Sequence, residues 1–320
     1  DPIQERWRWR SFPELKGRGL RCVAEAKDGA MWFGVDGGAV RYDGLAWTTY
    51  TADDGLLGAS ASALCATPDG SVYAGTAMGI SRFDGTRWQR VFPTTDEIPW
   101  SVNGLATAAD GGIWAATEWG ILRLGTGTPE LYATAEIGKT WVELGYSLRI
   151  HALPPEAVPT RPWANGLGVV TFGRVVGALA PGGPGERAGL RIGDHIVAVD
   201  GQKDYTSRQV RGVEGTPSVL TVRRTGGQEP FEVTLSPAAI QGTCHVIAVW
   251  SIFEDRSGGL WVGWRQGEIL HRPSRTAGSD VHAPWRLYTT KDGLGVSPFP
   301  QIAQTPDGTV WTVSGEDSAG

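Results

Sequence analysis

No apolar run in this 320-residue chain approaches the 18 residues that a helix needs to cross a bilayer. Cysteine is scarce: Cys22, Cys65 and Cys244 are odd in number and have no metal-ligand spacing. That excludes a disulfide framework and a zinc site, and their small or apolar strand contexts predict buried free thiols. Basic charge is lacking too. The net charge is −5 and the pI about 5.6, so the electrostatic footprint of a nucleic-acid binder is absent. The local exception, Arg6-Trp7-Arg8-Trp9-Arg10, alternates with period two and reads as a strand with Trp on one face and Arg on the other. There is no signal peptide. The chain opens on Asp1-Pro2 without Met and reads as a processed or excised piece, so that absence says little about location.

Signatures of catalysis are also missing. There is no Gly-x-Ser-x-Gly elbow, no Walker loop and no helix with paired carboxylates. The five histidines stand in separate contexts. His271 and His282 with Asp280 make at most a weak metal group, and His195 opens a strand. Asp28, Asp69, Asp84, Asp110 and Asp307 fall in turns rather than facing one another. No catalytic residue, no metal and no cofactor is expected.

What the chain has is 46 Gly, 20 Pro and 15 Trp, the composition of short aromatic strands joined by tight turns. It also repeats. Asp-Gly pairs begin at 28, 69 and 110, two intervals of 41 residues, each followed by an apolar residue and then Trp or Tyr: Trp32, Tyr73, Trp114. Further copies run through Gly258-Gly259-Leu260-Trp261 and Asp307-Gly308-Thr309-Val310-Trp311. Asp-Gly between alternating apolar runs is a hairpin signal, because Gly takes the positive φ that the turn requires. Third strands follow at 38–44, 79–85 and 120–124, and fourth strands begin at Trp9, Trp47 and Trp285. Four short strands in about 41 residues make one blade of a β-propeller. With five copies present, the propeller is expected to be small or incomplete.

Two segments carry a further mark: Tyr50-Thr51-Ala52-Asp53-Asp54-Gly55-Leu56 and Tyr288-Thr289-Thr290-Lys291-Asp292-Gly293-Leu294. With Phe253 to Gly263, they resemble the two-component regulator propeller repeat, although Trp264 stands where that family usually has Thr. The resemblance covers roughly residues 7–135 and 240–318. It implies the sensory, ligand-binding half of a bacterial signal-transduction receptor, on the periplasmic or extracellular side of the inner membrane. The Asp-Gly-Leu and Trp positions themselves read as turn and core residues.

The fourth Trp is due near 155 but arrives at 261, so about 106 residues are inserted. Within them stand Asn165-Gly166-Leu167-Gly168-Val169-Val170-Thr171-Phe172, Arg187-Ala188-Gly189-Leu190 and Gly193-Asp194-His195-Ile196, with a closing hairpin ending near Leu235. The order resembles a PDZ domain of the bacterial protease-associated type. The resemblance implies a cradle for a peptide's terminal carboxylate at Leu167, Gly168 and Val169. It implies a groove along Val170, Thr171 and Phe172, walled by Ser207 and Val210. The wall is short: 13 residues separate Gly201 from Gly215. That leaves open a working groove, a module that braces the propeller, or a site closed by its own chain.

The fold expected is therefore mainly β: blades of four-stranded antiparallel sheets over 1–140 and 238–320, a Pro-rich linker over 141–159 and a PDZ-like α/β domain over 160–237. The partners expected are a protein or peptide C-terminus at the insert and a small ligand or protein at the propeller, with no nucleic acid. The alternatives are a free-standing periplasmic or secreted interaction scaffold and the non-catalytic part of a protease-linked protein.

Overall fold

The computed structural model describes residues 11–94, 99–143, 146–163, 166–172, 174–203, 210, 216–224, 229–241, 243–245, 248–264, 267–274, 284–295 and 300–313. The Arg6–Arg10 strand, His282, Asp280 and Ser207 lie outside them.

The chain is mainly β, built of propeller blades. Blade one is β1 (Cys22–Glu25), β2 (Met31–Val35), β3 (Gly38–Tyr42) and β4 (Trp47–Tyr50), hydrogen-bonded in sequence order. Blade two is β5 (Ala63–Ala66), β6 (Val72–Thr76), β7 (Gly79–Phe83) and β8 (Trp88–Phe92). Blade three is β9 (Val102–Thr107), β10 (Ile113–Thr117), β11 (Gly120–Leu124) and β12 (Glu130–Ala133).

The local causes are those of the repeat. In the first turn of each blade an aspartate accepts a backbone N–H two residues on: Asp28 from Ala30 at 3.0 Å, Asp69 from Ser71 at 2.9 Å and Asp110 from Gly112 at 3.0 Å. Gly79, at φ +138°, begins the third strand where a Cβ would come within 2.2 Å of the Phe92 carbonyl oxygen, so only Gly lets that strand approach. The Tyr-Thr-x-x-Asp-Gly-Leu signature is a capped 3-10 turn. The Thr51 N–H donates to Asp54 at 2.8 Å and the Thr289 N–H to Asp292 at 2.9 Å, and Gly55 and Gly293 close both turns at φ +90°.

Blade three continues past its fourth strand. Residues 141–159, which the proline content marks as linker, begin within the last turn of helix α1 (Ala135–Glu143) and carry β13 (Arg149–Ala152), which adds to the blade parallel to β12. Part of the segment is core: Leu153, Ala157 and Val158 expose 4%, 1% and 2% of their surface. Trp141 of α1 docks on Trp100 and Trp119 at ring-centroid distances of 4.5 and 4.8 Å. Nothing in the 41-residue repeat announces this helix, because Ile137 and Trp141, one turn apart, become core only by packing against blade three.

The insert leaves and returns through a two-stranded stem, β14 (Thr160–Pro162) paired antiparallel with a strand at Thr243–His245. Between them lie β15 (Val169–Phe172), β16 (Val175–Leu179), α2 (Pro184–Arg187), β17 (His195–Val199), β18 (Ser218–Arg223) and β19 (Phe231–Leu235), and the five strands form one sheet in that order. The returning stem strand is β20. Blade four is β21 (Val249–Glu254), β22 (Leu260–Trp264), β23 (Ile269–Arg272) and β24 (Arg286–Tyr288), and β25 (Gln301–Gln304) and β26 (Val310–Val313) form a two-stranded fifth sheet.

Innermost strands stand side by side in the order β1, β5, β9, β21, β25. Side chains stitch them together: Ser62 Oγ donates to the Val102 carbonyl at 2.5 Å, Asn103 Nδ2 to Val249 at 2.8 Å and Ser251 Oγ to Pro300 at 2.5 Å. The third and fourth blades are therefore neighbours in space although the insert separates them in sequence.

Candidate functional site

The candidate peptide site lies on the edge of the insert. β15 stands at one of the two edges of the five-stranded sheet, the position at which a bound peptide adds a strand in PDZ-type recognition. The loop before it turns sharply at Gly168, φ +66°. Its carbonyls are held from within: Leu167 O accepts from Gly185 N at 2.9 Å and Gly168 O from Ala180 N at 2.8 Å. Leu167 and Val169 are buried in the insert's own core with Val176, Leu190, Ile196 and Leu220.

The predicted residues do not share one surface. Val210, meant for the opposite wall, is 2% exposed and belongs to that same core. Thr171 is half-buried on the edge strand. Val170 faces the other way and, with Val175 and Ile192, packs against the large core that runs through blades three and four. The alternation of a strand explains the split: Val169 and Val170 point to opposite faces.

Sequence reasoning missed the segment after the insert. The Ala238 N–H donates to the Gly166 carbonyl at 2.8 Å, and a Cβ placed on Gly168 would meet Ile240 Cδ1 at 2.9 Å. The chain's own exit segment thus lies on the predicted carboxylate loop. No motif marks Ile240, and only its position after the closing hairpin could have hinted at it.

The Gly-Asp of the motif has a structural role. Asp194, 1% exposed, takes both prongs of Arg224, Nε to Oδ1 and Nη2 to Oδ2, each at 2.8 Å, and the Arg191 N–H at 2.8 Å. Burial, with Arg223 and Arg174 nearby, lowers the His195 pKa below the usual imidazole range. Among the described residues no group of three or more His, Cys, Asp or Glu could hold a metal ion, and no helix is long and apolar enough to cross a membrane.

Residues 175–224 match the PDZ domain family. The match takes in the strands after the loop and the position of Val210, and it stops short of the predicted cradle at 167–169. No curated protein matches the chain. Among solved structures, virginiamycin B lyase from Staphylococcus aureus is 14% identical over 95% of this chain and 79% of its own, with a TM-score of 0.39. YCF48 bound to D1 peptide is 15% identical over 98% and 82%, at 0.37. An extracellular domain assigned to the hybrid two-component system BT3049 of B. thetaiotaomicron is 12% identical over 92% of this chain, at 0.21, and the chain spans 48% of its length. With TM-scores of 0.39 and lower, none of these likenesses carries an activity or a ligand over to this chain.

Proposed function

We propose that this chain is a non-catalytic binding region from the extracytoplasmic, sensory side of a bacterial signalling receptor, and that its PDZ-like insert captures the C-terminus of a peptide along β15. The observation that carries the peptide reading is the edge position of β15 directly after the Gly168 turn. The receptor reading is supported by the Tyr-Thr-x-x-Asp-Gly-Leu repeats, here folded as capped turns between blades. Because Ile240 lies on the loop, capture requires the exit segment to be displaced, and the resting insert is closed by its own chain.

The test uses the full chain and fluorescent peptides with free or amidated C-termini, screened as a library of apolar last residues. Free carboxylates bind, amidation weakens them, and Ile240→Ala tightens them by removing the competing side chain. If no peptide binds either the natural chain or Ile240→Ala, the insert is not a peptide reader. The second reading, a brace, would then stand on the packing of Val170, Val175 and Ile192 against the propeller core.

A further inference from the structure

In the first three blades the last residue of the third strand is uncharged: Tyr42, Phe83 and Leu124 stand opposite Met31, Val72 and Ile113. At the same register position of the fourth blade, opposite Leu260, stands Arg272. The surroundings do not change with it. Between blades one and two, Phe83 sits in a box of Trp32, Tyr50 and Trp88, with ring centroids 4.8, 4.9 and 5.4 Å away. Between blades three and four, the equivalent box is Trp114, Tyr132 and Trp285, and the Arg272 guanidinium lies 5.2, 5.4 and 5.2 Å from those centroids. Tyr50 and Tyr132 correspond by register, each pairing with the second residue of its third strand, Ala39 and Ile121.

A box that takes a phenyl ring in one interface thus takes a cation in the other. The ring faces attract the guanidinium, yet burying a charge strips it of water. Arg272 Nε is buried without a hydrogen-bond partner, and among the described residues no carboxylate pairs with the side chain. The arginines one position earlier in blades one to three differ: Arg41, Arg82 and Arg123 each meet the aspartate of their own turn, Asp28, Asp69 and Asp110. Phe83 serves the fold in this position, so the fold does not explain the charge.

Arg272 lines a crevice of about 640 Å³ between blades three and four. Arg123, Arg149 and Arg256 also line it, against Asp110, Glu130 and Glu254. The matching crevice between blades one and two, about 620 Å³, balances Lys27, Arg41 and Arg82 with Asp28, Asp69 and Asp84. Ser257 stands three residues before Leu260, where the second blade has Asp69 three before Val72; Asp255 holds this turn instead, accepting the Ser257 and Gly259 N–H groups at 2.9 Å, and the crevice lining carries four cations against three carboxylates.

We propose that the crevice between blades three and four binds a small organic anion, a carboxylate or a phosphate ester, with Arg272 as its docking cation. The aromatic box presents the planar fork of the guanidinium, which matches the paired oxygens of either group. The hydroxyls of Thr126, Ser257 and Ser274 line the same space.

Calorimetric titration and thermal unfolding of the full chain with citrate and with glucose 6-phosphate test this, each at low and high salt. At least one probe saturates the chain and raises its unfolding midpoint, and salt weakens it; which one binds separates a carboxylate from a phosphate. Arg272→Phe, which restores the residue of the second blade, binds that probe about tenfold more weakly or not at all, the loss of one charge-assisted contact. Its unfolding midpoint equals or exceeds that of the natural chain. Arg272→Met, which keeps the apolar stem, behaves alike. The proposal is overturned if neither probe binds, if both variants bind as the natural chain does, or if both lose much of their stability, which would make Arg272 a packing residue. Peptide capture at the insert is a separate site, so its titration is unchanged in Arg272→Phe whichever reading fails.

Discussion

Asp194 and Arg224, thirty residues apart, close a two-pronged ion pair inside the insert, with both contacts at 2.8 Å and the carboxylate almost wholly out of water. The pair ties the start of β17 to the end of β18. Removing the arginine leaves the Asp194 charge buried without its counter-ion, so Arg224→Ala is expected to lower the stability of the insert by about 3 kcal/mol. Urea unfolding followed by a probe within the insert measures the loss. Arg224→Lys keeps the charge but not the fork and is expected to fall between the two.

Trp32 and Trp311 occupy the same position in the first and fifth repeats, yet their exposures are 1% and 59%. Trp32 packs on Tyr50, Phe83 and Trp88. Trp32→Ala is therefore expected to cost about 3–5 kcal/mol, the range for truncating a buried aromatic. Trp311→Ala is expected to stay within about 0.5 kcal/mol of the parent. Equal losses in denaturant midpoint would show that the fifth sheet is covered in solution.

Burial pushes the Cys65 thiol up to about 12 and the Cys22 thiol up to about 11. Only the thiolate attacks a disulfide reagent. The native chain at pH 8 is expected to react slowly with Ellman's reagent, and the chain in guanidinium to release all three thiols at once. Fast labelling of Cys22 and Cys65 in the native chain would mean that the first two blades open readily.

The turn aspartates make stability depend on pH. The Ala30 N–H, then Arg41, holds the Asp28 carboxyl below its ordinary 3.8, and the Thr67 hydroxyl, then the Ser71 N–H, does the same for Asp69. A depressed folded pKa stabilises the fold above the unfolded value, and the gain is lost as pH falls through the folded value. The unfolding midpoint is expected to be flat above about pH 5 and to fall below about pH 4. In Asp28→Asn with Asp69→Asn, the fall below pH 4 should be shallower.

Much of the fold was legible in the sequence because short-range chemistry dictates it. Asp-Gly turns, period-two alternation and the 41-residue spacing predict β2, β6 and β10 and their hairpin partners, and a glycine in a turn needs no distant residue to adopt its φ. The capped turns at Thr51 and Thr289 are likewise closed by residues three positions away. Helix α1 and strand β13 were not legible, since Trp141 and Leu153 gain their value only by meeting blade three, and prolines in the stretch suggested a bare linker.

The candidate sites divide along the same line. By itself the sequence determined the blades, the insertion and the Gly168 turn, which depend on backbone preferences and local hydrogen bonds. Tertiary structure alone decided that Val210 is core, that Ile240 lies on the loop, and that Arg272 enters the aromatic box between blades three and four. The physical reason is distance along the chain. Trp114 and Arg272 are brought together only because β9 packs beside β21 across the whole insert, and no local rule encodes which side chain then fills the space between them.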